Sequence, residues 1–122
     1  MDLSPMIQKT AKKHLSRKDS VYVECREWLD KGFGNAYYSL RLFVNGDLVA
    51  ISPIQYGYGD QYLHTSVALL LAGGYLPDEI TPEPDYTLKT INHSLHRIAR
   101  EIGFVLYDSK KQVLKKEMFV LP

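Results

Sequence analysis

Asn45-Gly46 sits between two runs of alternating apolar and polar residues, and no other dipeptide here constrains the fold as much. A two-residue type I′ turn needs positive φ at both central positions, which Asn-Gly tolerates and most other pairs do not. The flanking runs, from about Ala36 to Val44 and from about Leu48 to Gln55, therefore read as two antiparallel strands of one hairpin.

Ser20 to Trp28 reads as a further strand, with Val21, Val23 and Cys25 alternating against Tyr22, Glu24 and Arg26. Leu29 to Gly34 connects it to the hairpin. Upstream, residues 4–17 read as a helix with Ser4 as N-cap and Pro5 at its first position. Its apolar stripe is thin: Met6, Ile7, Thr10, Ala11 and Leu15.

Asp60 is placed to cap a second helix running to about Ala72, apolar on most sides and stopped by Gly73-Gly74. Pro77, Pro82 and Pro84 keep residues 75–86 irregular. A third helix is expected over about Thr87 to Ile102, with Leu88, Ile91, Leu95, Ile98 and Ile102 at helical spacing and Gly103 ending it. Phe104 to Tyr107 and Val113 to Leu121 then read as a second hairpin turning at Asp108-Ser109-Lys110-Lys111. The order is α-β-β-β-α-α-β-β. The expected class is α+β, an antiparallel sheet of about five strands with three helices, in one domain spanning 1–122.

Composition sets bounds on function. The net charge of +1 gives no global electrostatic reason for a nucleic-acid or membrane partner. Charge is uneven, with Lys9, Lys12, Lys13, Arg17 and Lys18 near the start and Lys110, Lys111, Lys115 and Lys116 near the end. Asp78, Glu79, Glu83 and Asp85 make an acidic loop between them. A single cysteine, Cys25, excludes an internal disulfide framework and a cysteine-rich zinc site. With no apolar run near membrane-spanning length, the expectation is a soluble, cytoplasmic protein.

The chemistry-bearing residues concentrate in two glycine-tyrosine segments. One is Gly32-Phe33-Gly34-Asn35-Ala36-Tyr37-Tyr38-Ser39; the other is Tyr56-Gly57-Tyr58-Gly59-Asp60-Gln61-Tyr62. Hairpin geometry brings them side by side, because the chain leaves strand three at the end where strand two began. Tyrosines offer flat amphipathic walls, and glycines allow close backbone approach. The expected ligand-binding residues are Asn35, Tyr37, Ser39, Tyr56, Tyr58, Gln61, Tyr62 and Thr65, with phosphate contacts from Arg41, Arg97 or Arg100. Helix-start amides near Gly59 favour anions, but a capping Asp60 carboxylate would occupy them.

Other arrangements carry less chemistry. Lys89, His93, His96, Arg97 and Arg100 share one face of the third helix, a pattern for phosphate contact or for a solvated face. His93 and His96 lack a third metal ligand at suitable spacing, so neither metal nor cofactor is expected. Asp60, His64 and Ser66 are near neighbours on one helix, the basis for a small-hydrolase alternative around His64. Cys25 in a strand reads as a core residue.

The pattern Gly34-Asn35-x-Tyr37-x-Ser39 with Tyr56-Gly57-Tyr58-Gly59-Asp60-Gln61-Tyr62-x-x-Thr65 resembles one in short accessory proteins of phages and prophages. That resemblance covers roughly the central third of the chain and brings no assigned activity. It implies a small protein, made in a host cytoplasm, that acts by binding a host component, counter-defence proteins among them. The first five elements also resemble, in order, a double-stranded-RNA-binding domain. That family's phosphate-gripping lysines would fall near Tyr58 to Tyr62, where this chain has none, which argues against duplex binding.

The resulting expectation is a non-enzymatic binding protein whose partner is a nucleotide-like ligand or a host protein complex, with a homodimer allowed. The rivals are a nucleic-acid module using helix 87–102 and hairpin 104–121, and the hydrolase.

Overall fold

Four strands form one sheet in the order β3-β2-β1-β4 in the structure, a computed structural model that describes residues 2–80 and 94–122. The strands are β1 (Ser20–Asp30), β2 (Asn35–Val44), β3 (Asp47–Tyr56) and β4 (Val105–Gln112). Two helices, α1 (Gln61–Ala72) and α2 (Leu95–Ile102), pack on one face. The class is α+β.

The Asn-Gly turn forms as its chemistry requires, with φ of 52° at Asn45 and 85° at Gly46. Asn45 does more than turn the chain. Its Oδ1 accepts from the Ser20 amide at 2.9 Å and its Nδ2 donates to Asp19 at 2.9 Å, so the hairpin tip also anchors the start of β1.

Alternation then divides the sheet. Val21, Val23 and Cys25 of β1 lie opposite Val44, Leu42 and Leu40 of β2, and all six are buried in the main core. α1 adds Leu63, Val67, Leu69 and Leu70 to that core, and α2 adds Leu95, Ile98 and Ala99. Residues of opposite parity, including Tyr22, Glu24, Arg26, Trp28, Tyr37, Ser39 and Arg41, form the outer face.

Several expectations fail, for identifiable reasons. Residues 4–17 are not a helix: only Ser4–Met6 makes a turn, of 3-10 type. Beyond it the chain runs along β3 and the end of α1, with Gln8 donating to the Val49 carbonyl, Ala11 to Gly73 and Leu15 to Tyr75. Those tertiary hydrogen bonds replace helical ones, and a thin apolar stripe gave a helix little to bury. The likeness in order to the RNA-binding fold loses its first element.

The second hairpin is absent as well. β4 continues straight through Asp108 to Lys111, the residues expected to turn, and pairs along its whole length with β1. That pairing is parallel, so the sheet is mixed rather than antiparallel. A parallel neighbour needs a crossover, which the segment carrying α1 and α2 supplies. Val113–Leu121 is not a fifth strand. It makes a 3-10 turn at Lys115–Glu117 and then lays Met118 and Phe119 on the outer face.

Of the third helix, the described part is α2, Leu95–Ile102. Ser94 is its N-cap, extended at φ −64° and ψ 149°, with its hydroxyl accepting from the Arg97 amide. Leu88, Lys89, Ile91 and His93 lie outside the described residues. α1 matches its expected span, including the glycine stop at Gly73.

Candidate functional site

The two glycine-tyrosine segments do meet. Tyr37 lies opposite Tyr56 in the β2–β3 register, and the Gly57 amide donates to the Ala36 carbonyl at 3.1 Å. Four rings follow one another across the outer face. Trp28 stacks on Tyr37 at 5.1 Å between centroids, Tyr37 meets Tyr56 edge-on at 5.7 Å, and Tyr56 meets Tyr58 edge-on at 5.4 Å. The Tyr56 hydroxyl donates to that of Tyr58 at 2.9 Å, a contact that raises the Tyr56 pKa above its usual value. Lys115 places its ammonium 5.2 Å from the Trp28 ring centre.

This end of the sheet is also where exposed apolar surface collects. Among the described residues, ten large hydrophobics are exposed; six of them, Leu29, Phe33, Ile54, Tyr56, Tyr58 and Leu114, sit here. Phe33, at the tip of the β1–β2 turn, is 83% exposed. Gly34 holds that turn with φ of 70°, and Asp30 accepts the Gly32 amide beneath it. A cleft of about 590 Å³ borders the line of rings, walled by Trp28, Leu29, Lys31 and Leu114 among others.

Several expected site residues are elsewhere. Ser39 shares the face of Tyr37 but is wholly buried under Met118 and Phe119, accepting the Phe119 amide at 2.9 Å. Tyr62 turns to the helix side, where its hydroxyl donates to Asp108 at 2.7 Å; burial, then that carboxylate, pushes its pKa up. Thr65 lies 2.6 Å from the hydroxyl of Tyr38, inside the same layer. Gln61 is exposed at the start of α1 with its side chain over Gly57, and Asn35 is half-buried opposite Asp30.

The expected phosphate contacts are not assembled with the rings. Arg41 gives Nε and Nη2 to Glu24, at 3.0 and 2.7 Å, and stacks on Phe119. Arg97 pairs with Glu101, and Arg97 and Arg100 both belong to α2, on the opposite side of the sheet from the rings. The helix-start cradle is occupied too, though not by Asp60, whose side chain makes no capping bond. Backbone carbonyls of Tyr58 and Asp60 accept the amides of Gln61, Leu63 and His64 instead.

The hydrolase grouping does not come together either. Ser66 is buried and donates to the Tyr62 carbonyl at 2.8 Å, while His64 is exposed. Cys25 is a core residue. No cluster of three or more metal-ligating side chains exists among the described residues, and His93 lies outside them.

The expected site residues omit Trp28, which heads the line of rings, and also Tyr38 and Gly57, which lie in the two segments but act behind the rings. Tyr38 is buried, its hydroxyl held between Thr65 and Gln55, so it ties α1 to the hairpin directly behind the exposed rings. Gly57 fits against it: a Cβ there would stand 2.7 Å from Tyr38 Cε1 and 2.9 Å from Gln61 Cγ. Gln61 can swing away but the Tyr38 ring cannot. Gly57→Ala is therefore expected to cost about 1–3 kcal/mol by overpacking. Denaturant unfolding tests this, and an unchanged midpoint would mean the two segments are not in contact.

Against this geometry, no protein-family model, curated protein or solved structure matches the chain. No helix among the described residues is long and apolar enough to cross a membrane.

Proposed function

We propose that this chain acts by binding another protein, and that the aromatic end of the sheet is the surface it presents. The observation that carries the reading is the concentration there of six exposed large apolar side chains around a line of tyrosines. Exposed apolar patches rimmed by charge mark interaction surfaces. Tyrosine and tryptophan supply large contact area with few torsions to freeze, and they dominate interface hot spots. Here the charged rim is Asp30, Lys31, Asp60 and Lys115.

The surface suits a small accessory protein of the kind the phage and prophage pattern implies, acting on a host complex without chemistry of its own. A nucleotide-like ligand is the second reading, favoured by the Trp28–Tyr37 stack beside the 590 Å³ cleft. It is weaker because Arg41 is already engaged and the α2 arginines are on the other side.

The experiment is capture from host lysate by wild type and by the Tyr56→Ala/Tyr58→Ala double variant, both checked for an unchanged fold. Loss of two interface tyrosines is expected to weaken capture of a specific partner at least about tenfold. Val105→Ala, exposed at the start of β4 and away from the aromatic end, should bind as wild type does. Equal capture by the double variant would overturn the proposal. A thermal shift with one class of nucleotide, abolished by Trp28→Ala, would favour the second reading.

A further inference from the structure

β4 ends the sheet, and among the described residues no strand pairs with its outer edge. At the other end, β3 is partly covered by the chain at Ile7 and Gln8. β4 thus leaves an eight-residue edge, every second residue of which turns its backbone donor and acceptor outward, a template for another strand.

The hydrogen bonds to β1 show which residues face outward. Val105 donates to the Asp19 carbonyl and Val113 to the Glu27 carbonyl, the two ends of a period-two pattern. The odd-numbered residues between them therefore turn their amides toward β1. Leu106, Asp108, Lys110 and Gln112 turn theirs out.

We propose that a second copy of this chain pairs its β4 antiparallel to this one, about a two-fold axis at Ser109. A two-fold perpendicular to the sheet keeps equivalent faces together, so even-numbered residues meet even-numbered ones. Centred on Ser109, Asp108 of each copy stands opposite Lys110 of the other, and Tyr107 opposite Lys111. Opposite charges directly across strands stabilise a pair, and a lysine beside a tyrosine ring adds to it. Shifting the axis to residue 108 sets Asp108 against Asp108; shifting it to residue 110 sets Lys110 against Lys110. Self-pairing is thus complementary in one register and repulsive in both neighbours.

The same side chains disfavour an arbitrary strand. Lysines on an edge repel most partners, and Lys110 and Lys111 stand at the middle of this one. Within its own copy Lys110 reaches Glu27 at 3.5 Å and the Gly59 carbonyl at 3.1 Å, and Asp108 accepts from Tyr62. Pairing adds a further partner to each, beside these bonds and the His96 imidazole 4.0 Å from Asp108, rather than breaking them. It joins two four-stranded sheets into one of eight and leaves both aromatic ends free, so it is independent of the protein-binding proposal.

Engineered cysteines test the register. Ser109 points its amide inward, so across the axis it forms a non-hydrogen-bonded pair, with Cα atoms about 4.5 Å apart. A disulfide spans that distance. Ser109→Cys is expected to give a covalent dimer on mild oxidation. Lys111→Cys, about 13 Å from its own counterpart at strand rise, is not. The native Cys25 is buried and does not compete.

Charge supplies the second arm. Asp108→Lys and Lys110→Asp should each sediment as monomers, because each puts like charges across the axis. Mixed together they restore opposite pairs at both positions and should form a heterodimer. Equal cross-linking at residues 109 and 111, cross-linking at neither, or no association on mixing would overturn the proposal.

Discussion

Leu40→Ala is expected to destabilise the fold by about 2–5 kcal/mol, the range for truncating a fully buried leucine. Leu40 is 0% exposed on β2, a central strand, between Cys25 of β1 and Ser52 of β3. The β1 ladder runs unbroken past Leu40, and α1 covers the same core. The site therefore has little room to collapse, which puts the cost toward the upper half of that range. A domain of this size has about 5–15 kcal/mol of stability in all, so the variant stands near unfolding. Denaturant unfolding measures it, with Leu114→Ala as the control. Leu114 is 60% exposed and its truncation should change stability by about 0.5 kcal/mol or less. If the two variants cost the same, Leu40 is not at the centre of the core.

How far such a core can be read from residues alone differs element by element. The β2–β3 hairpin is legible because Asn45-Gly46 answers a backbone requirement that few pairs meet. From the hairpin follows the meeting of Gly32–Ser39 with Tyr56–Tyr62, since antiparallel geometry leaves those ends adjacent. Asp108 to Lys111 misleads because polarity alone suggests a turn, although the four residues lack the glycine or asparagine that a tight turn demands. On an edge strand both side-chain faces reach water, so alternation fades and the strand signal with it.

The site is legible in part for a related reason. Tyr37 and Tyr38 are adjacent, and parity places one on each face without saying which is covered. Ser39 belongs to the expected face, but a segment 80 residues away in sequence lies over it. Arg41 looks like a free cation until β1 supplies Glu24 directly opposite. Long-range pairing decides each of these. The helix expected over residues 4–17 shows the same effect on the backbone, where β3 and the end of α1 offer carbonyls that outcompete a weakly amphipathic helix.

Alkaline solution should unfold this protein earlier than its surface charge suggests, and Cys25 should begin the process. The thiol is fully buried beside Leu40. Loss of solvation pushes it from an ordinary 9.0 up to about 12; Lys110 opposes the shift, while Glu27 and Asp108 add to it. The folded chain thus holds a proton that the unfolded chain releases near 9.0, so the unfolded state binds fewer protons across that window. Stability from this group is complete below about pH 9 and falls as pH rises, by about 1.4 kcal/mol per unit, until about pH 12. Tyr38 and Tyr62, both raised chiefly by burial, steepen the fall above about pH 10, where unfolded tyrosine ionises. Unfolding midpoints at about pH 8, 9.5 and 10.5 separate the contributions. Cys25→Ala should be less stable than wild type at pH 8 yet lose less between pH 8 and 10, because the thiol's share of the loss is gone. Parallel losses in the two proteins over that interval would show that the thiol is solvated in the native state. That would remove Cys25 from the core and with it the reason Leu40 is costly to truncate.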